Sequence, residues 1–273
     1  MQYDPIKKDL GSVFNKSVTH RILFYKLLDL LLLRTWHIRK AIRQWKKGIQ
    51  GEIHILDAGS GFGQYTYFLA KHNSAWKILG VDVKEEQIND CRNFFSKSGI
   101  STVEFEIADL TQFVRDNTYD LVLSVDVMEH IEDDVSVFKN LCQSLKPGGL
   151  LLISTPSDKG GSDVHQHEYK PGEVQSFIDE HVRDGYNIDE IQQKLIGAGF
   201  SRTQAEYAYG WPGKISWKLS MKFPISMLNL SKAFFIVLPF YYFATYWFVL
   251  LLNFLDVKLI HTSGTGLVVK AWK

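Results

Sequence analysis

The chain has 273 residues, a formal net charge of +1, 45% hydrophobic residues and 14% aromatic residues. That length can bury a sizeable core, as one elaborated domain or one domain with an appendage. The near-neutral charge excludes the broad basic field that a nucleic-acid surface needs. Cys91 and Cys142, the two cysteines, fall in helical surroundings and indicate reduced thiols in a cytoplasmic setting.

In chain order, residues 1–19 are mixed and polar, with Pro5 and Gly11, and read as a loose opening without the charged-then-apolar pattern of an export leader. From His20 to Lys47 the spacing predicts one long helix. Its first half is apolar (Ile22, Leu23, Phe24, Leu27, Leu28, Leu30 to Leu33). Its second half is basic (Arg34, Arg39, Lys40, Arg43, Lys46, Lys47), interleaved with Trp36 and Trp45. Basic and aromatic residues together suit an anionic membrane interface, and a helix across the core with a solvated basic end would show the same pattern.

Residues 53–63 are the stretch around which the rest is arranged. Ile53, Ile55 and Leu56 end a buried strand, Asp57 follows, and Gly59, Gly61 and Gly63 alternate before helical spacing resumes at Gln64. Strand, glycine turn and helix make a seat for a nucleotide-like ligand at a helix N-terminus. A dinucleotide fingerprint would place its third glycine at position 64, which is Gln. Further strands are predicted at Lys77 to Val83, Thr102 to Ile107, Tyr119 to Val125, Leu150 to Ser154, Thr203 to Tyr209 and Gly264 to Trp272. Pro147-Gly148-Gly149 is read as the turn into the fifth strand. Asp82 ends the second strand about 20 residues beyond the glycine turn, where a ribose-binding acid stands, and Asp109 follows the third.

The D-x-G-x-G-x-G pattern at Asp57 to Gly63 resembles motif I of the class I S-adenosylmethionine-dependent methyltransferases. Asp126-Val-Met-Glu-His-Ile131 and the Pro-Gly-Gly strand resemble the subfamily that includes the ubiquinone-pathway O-methyltransferases and many small-molecule enzymes. The resemblance covers residues 51–210 and implies a doubly wound, Rossmann-like α/β fold, with a seven-stranded sheet whose last strand is antiparallel. It implies that Asp57, Gly59, Ser60, Gly61 and Gly63 hold the methionine end of the cofactor. Asp82 and Val83 would take the ribose, and Asp109 with Leu110 the adenine. Ser124 and Asp126 would complete the set, Asp126 bordering the acceptor.

Three parts are expected: an N-terminal helical segment (1–50), the core (51–210 and 262–273), and an apolar cap (211–261). Residues 233–255 of the cap carry no charge and approach the ~20 apolar residues that span a bilayer. A span would strand the seventh strand on the wrong side, and Pro239 is expected to break the run into two shorter helices. The cap therefore reads as dipping into a membrane surface or roofing a greasy pocket.

Methyl transfer from a sulfonium needs an oriented acceptor and removal of its proton. Candidate bases follow the fourth and fifth strands: Glu129, His130 and His167, with His165 beside them. Asp126, Glu129 and His130 with His165 or His167 could also hold a divalent ion, but metal-using relatives carry Glu where this chain has Asp126, and the reading includes no metal. The expected activity is methylation, at a hydroxyl, of a hydrophobic small molecule or lipid such as a quinone precursor. It would be carried out in the cytoplasm, peripherally on the inner face of the membrane. Amine or carbon methylation, a nicotinamide oxidoreductase and a non-catalytic cofactor-binding protein are the alternatives.

Overall fold

The computed structural model describes residues 17–47, 49, 51–160 and 182–273. Seven strands form one sheet: β1 (Ile53–Ala58), β2 (Trp76–Asp82), β3 (Val103–Ile107), β4 (Tyr119–Val125), β5 (Leu145–Pro156), β6 (Arg202–Ala208) and β7 (Gly266–Trp272). The order is β3-β2-β1-β4-β5-β7-β6, parallel from β3 to β5, with β7 antiparallel between β5 and β6. The fold is the doubly wound α/β arrangement expected from the sequence.

Helices cover both faces, so the central strands are near-continuous apolar runs. On one face, α5 (Asp134–Ser144) and α6 (Ile188–Gly197) bring Phe138, Leu141, Ile191 and Leu195 against Leu56, Val122 and Leu151. On the other, α3 (Gln64–His72) and α4 (Glu85–Lys97) pack Leu69, Ile88 and Phe95 against Ile55, Ile78 and Leu121. Cys91 and Cys142 are buried free thiols of α4 and α5.

The expected single N-terminal helix is two, α1 (Val18–Leu31) and α2 (Leu33–Trp45), with Leu32 between them in extended backbone at φ −91, ψ 110. No glycine or proline marks the break. It is set by packing: Leu32 and Leu33 are both buried, and α2 turns to lay Ile38 and Ile42 on the sheet. β5 also begins earlier than predicted. Leu145 already pairs with Tyr119, and the register then shifts before Leu121. The Pro-Gly-Gly stretch is thus a bulge inside the strand rather than a turn before it.

Between β6 and β7 the chain forms a helical hairpin. α7 (Trp211–Trp217) continues through one π-helical turn (Lys218–Lys222) into α8 (Phe223–Leu230). A 3-10 turn (Lys232–Ile236) then leads to α9 (Leu238–Lys258). Pro239 does not break the apolar run: it sits in the first turn of α9, where its missing N–H would have no partner anyway. The partner helix comes instead from residues 211–230. Tyr241 and Tyr242 donate to the carbonyls of Leu219 and Ser220, and the side chains of Ser216 and Asn253 are bonded, so the two arms run antiparallel.

The hairpin is rooted by Asp256. Its buried carboxylate accepts from the backbone N–H of Tyr209 (3.1 Å), from that of Gly213 (3.0 Å) and from His37 of α2 (2.8 Å), with His261 3.2 Å away. Burial alone would raise its pKa, but the bond and charge of His37, with His261 and Gly213, hold it below the usual carboxylate range. This stability is present above the pKa of the unfolded chain and lost as pH falls through the lower folded value. Asp256→Ala leaves His37 and two backbone N–H groups without their shared partner, and about 3 kcal/mol of stability should be lost. Urea unfolding at neutral pH measures this. The gap from the parent should narrow in acid, and an unchanged midpoint at neutral pH would show that the root carries no load.

Candidate active site

The acids singled out in the sequence gather at the carboxyl edge of the sheet, on both sides of the β1–β4 boundary where the strand order reverses. This is where open α/β sheets bind ligands. Gly59 and Ser60 both donate to the carbonyl of Val81 (2.9 Å each), and Gly63 donates to Ser60 (2.9 Å), folding residues 59–63 into a tight turn that opens α3. At Gly59, φ is +79 and an added Cβ would lie 2.2 Å from a methyl carbon of Val127, so a side chain is excluded twice. At Gly61 the nearest atom to such a Cβ is the Gln87 amide oxygen at 3.7 Å, which leaves that side of the turn open to a ligand.

Asp57 lies inside β1, beneath the turn rather than at its mouth, and accepts from the Thr66 hydroxyl. Its burial raises its pKa to about 6, against the lowering by Thr66. Asp82 ends β2 and braces the turn: one carboxylate oxygen accepts from Gly61 N–H (2.9 Å), the other from Lys84 N–H (2.9 Å). Val83 next to it is well exposed. Asp109 is exposed and accepts from Thr111 N–H (2.9 Å), whereas Leu110 packs into the core. The hydroxyls of Ser60, in the turn, and Ser124, near the end of β4, are buried with no hydrogen-bond partner.

Two features of the turn were not legible in the sequence. Tyr25 (2.5 Å) and Arg21 (2.7 Å) of α1 both donate to the carbonyl of Phe62, so the N-terminal helix clamps the turn from outside. Gln64, at the position that breaks the dinucleotide spacing, donates to Asp29 of α1 (2.9 Å). A helix whose polar residues face a glycine turn is the only sequence signal of this, and it cannot be separated from ordinary surface polarity.

A second polar cluster at this edge of the sheet is built around Arg34, in the first turn of α2. Its guanidinium forms an ion pair with Asp126, which follows β4 in the left-handed region at φ 53. Its backbone N–H donates to the hydroxyl of Tyr209 (2.9 Å), itself at φ 57. Burial raises the pKa of Tyr209 to about 12 and raises that of Tyr65, while the charge of Arg34 opposes both shifts. Glu129, in a 3-10 turn (Met128–His130), is buried and accepts from the Thr155 hydroxyl (3.1 Å). Burial raises its pKa to about 7; Thr155, Arg34 and Arg183 pull the other way. His130 ends the same turn, half-buried. His165 and His167 lie outside the described residues. Among the described residues, no group of three His, Cys, Asp or Glu is placed to hold a metal ion.

Comparison with known proteins bears on the family and the fold. A family described as a methyltransferase domain matches residues 49–207. The chain is similar to a phosphoethanolamine N-methyltransferase of Triticum aestivum, 31% identical over 56% of this chain and 28% of that protein. It is also similar to a ubiquinone biosynthesis O-methyltransferase of Coxiella burnetii, 30% identical over 37% of this chain and 43% of that protein. The chain thus spans less than half the length of these curated relatives. Among solved structures it resembles Haemonchus contortus phosphoethanolamine N-methyltransferase 2 in complex with S-adenosyl-L-methionine. That likeness has a TM-score of 0.60 at 18% identity and covers 94% of this chain and 57% of that one. At that identity it speaks to the fold.

The raised pKa of Glu129 has a consequence for stability. A carboxyl that moves from 4.5 to about 7 on folding is most favourable while protonated. Its contribution therefore falls as pH rises from the unfolded value to the folded one, by on the order of 3 kcal/mol. Glu129→Gln should flatten the stability profile between those limits, leaving the smaller slope of the same sign due to Asp57. Urea unfolding at pH 5 and pH 8 tests this, and an identical pH dependence in parent and variant would show that Glu129 does not titrate with folding.

Proposed function

The chain belongs to the methyltransferase-domain family, and on that premise we propose that it transfers a methyl group from S-adenosylmethionine to a hydroxyl of a hydrophobic, lipid-like acceptor such as an isoprenoid quinone precursor. What carries the reading is the convergence of a braced glycine turn with a separate polar cluster, Arg34, Asp126, Glu129, Tyr65 and Tyr209, beside one another at the same edge of the sheet.

The residues present suit the cofactor. The turn has an open side at Gly61, an unpartnered buried hydroxyl at Ser60, and the N–H groups of the first turn of α3 at its floor. The carboxylate of Asp82 keeps lone pairs free beyond its two backbone bonds and suits a pair of vicinal hydroxyls. Asp57 and Asp82 together make this end of the sheet acidic, which suits a cationic sulfonium and amino group. When bound, the cofactor supplies a methyl group on positively charged sulfur, which the acceptor oxygen takes while the carbon–sulfur bond breaks.

The chain's own part is to position the acceptor and take its proton. Glu129, half ionised near neutral pH, suits a general base, and the bond from Thr155 orients it. Arg34 favours the anionic form of an acceptor oxygen placed between it and Glu129. The charge of Asp126 is already matched by Arg34, so it serves to fix that guanidinium. His130 follows Glu129 in the same turn and remains a candidate. The buried free thiols of Cys91 and Cys142 are in keeping with a cytoplasmic location.

An amine acceptor is the second reading, favoured by the name of the Triticum aestivum relative. A protonated amine would also need to lose its proton, so Glu129 would keep its role.

Titration calorimetry with S-adenosylhomocysteine tests the cofactor assignment. The parent should bind, and Asp82→Ala should weaken binding by roughly 100-fold, about 3 kcal/mol, because two hydrogen bonds to a charged acceptor and the brace on Gly61 are removed together. Equal affinity in the two proteins would remove Asp82 from the site.

A further inference from the structure

The outer face of α9 is strongly apolar and aromatic. Phe240, Phe243, Trp247, Leu251 and Phe254 are exposed by 74, 80, 73, 52 and 52%. Their spacing of three and four residues puts them on one stripe, about 21 Å long at 1.5 Å per residue. The opposite face, Val249, Leu252, Asn253 and Asp256, is buried. By length and composition α9 is apolar enough to cross a membrane.

The rest of the hairpin argues against a crossing. A Cβ on Gly210 would lie 2.1 Å from the His261 ring, so the chain enters and leaves the hairpin at one place, and β7 continues in the same sheet as β6. The segment from Tyr207 to Leu255 contains four lysines and no acid. Lys214 and Lys218, one turn apart, are exposed on α7 and its π-helical continuation. Upright in a bilayer, Lys214 and Lys218 would sit at successive depths of hydrocarbon, which is costly. Lying in the interface, both reach headgroups while aromatic side chains enter the acyl boundary.

The surface does not stop at the hairpin. Leu23, Leu27 and Leu30 form an exposed stripe on α1, and the Tyr246 hydroxyl donates to the carbonyl of Leu30 (3.2 Å), bringing α1 beside the middle of α9. Arg34, at the centre of the polar cluster, follows Leu30 by four residues, across the break at Leu32.

We propose that the α9 stripe, the lysine face of α7 and the leucine stripe of α1 form one docking surface for an anionic bilayer. It lies in the headgroup plane of one leaflet, and an acceptor carried by that leaflet enters beside Leu30 and Tyr246 to reach Arg34 and Glu129. Docking stands independently of the activity; the entry route rests on the methyltransferase reading above.

Flotation of the full chain with phosphatidylcholine vesicles, alone and mixed with phosphatidylglycerol, tests docking. The parent should float with the anionic vesicles and weakly with the neutral ones. Phe243→Glu with Trp247→Glu should abolish flotation on both. Lys214→Glu with Lys218→Glu should weaken binding to anionic vesicles by roughly tenfold or more and leave neutral ones unchanged. Both pairs are exposed, and circular dichroism with urea unfolding reports whether the variants fold. If the well-folded parent floats with neither vesicle, the proposal is overturned. A dimer in solution that the aromatic variant dissolves, again without flotation, would assign the stripe to a second copy instead.

For the route, methyl-labelled S-adenosylmethionine is supplied with vesicles of total lipid extract. Label should enter the organic phase with the parent and fall with both docking variants. Equal labelling by parent and variants would overturn the route. Flotation without any homocysteine-product binding would leave docking intact and fail the activity reading alone.

Discussion

One guanidinium holds together the polar cluster beside the glycine turn. Arg34 pairs with Asp126, its backbone N–H fixes Tyr209, and its charge offsets the burial of Glu129, Tyr65 and Tyr209. Asp126 and Tyr209 both occupy left-handed backbone, a conformation that costs side-chain-bearing residues on the order of 1–3 kcal/mol and persists only where the surroundings over-determine it. Three segments far apart in the chain, the start of α2, the end of β4 and the end of β6, meet at this one charge. Remove it, and Asp126 loses its ion-pair partner while Glu129 keeps only Arg183 as a cation against its burial.

The cofactor side is built on the opposite principle. It uses backbone rather than charge: a turn closed by Val127 below, braced by Asp82 behind and clamped by Arg21 and Tyr25 through the Phe62 carbonyl. Such a seat is held by contacts within the protein, which suits a small reactive group whose position must be set closely. α1 contributes to both halves. It fastens the turn, and its C-terminal end leads through the Leu32 break into Arg34.

The hairpin is joined to the same cluster. Asp256 of α9 accepts from Tyr209 N–H, while Tyr209 accepts from Arg34 N–H. The buried root of the hairpin and the Arg34 cluster are thus joined by one chain of hydrogen bonds.

Much of this was legible in the sequence because it is local. Strands buried on both faces announce themselves as short apolar runs, and a tight turn at a ligand announces itself as Gly59, Gly61 and Gly63. Acids at strand ends, Asp82 and Asp109, appear at spacings that backbone geometry sets. The order of strands follows from the pattern of alternation and the family resemblance. The break at Leu32 left no mark, because nothing in Leu30 to Leu33 disfavours helix; it exists only because both leucines find more burial when α2 turns. The bulge at Pro147 to Gly149 has the composition of a turn, and only pairing with Tyr119 makes it part of β5. Pro239 marks a helix boundary, but whether it ends one helix or begins another depends on what lies beside it. Glu129 was one candidate base among several. Its distinction is a pKa raised by burial, and burial is a property of the assembled fold. The chain by itself determined which elements form and what kind of ligand the turn admits, since those depend on neighbours within a few residues. Only the tertiary structure decided that Arg34, Asp126 and Tyr209 share one charge and that Asp256 roots the hairpin, since the electrostatics of a site depend on which distant groups exclude water together.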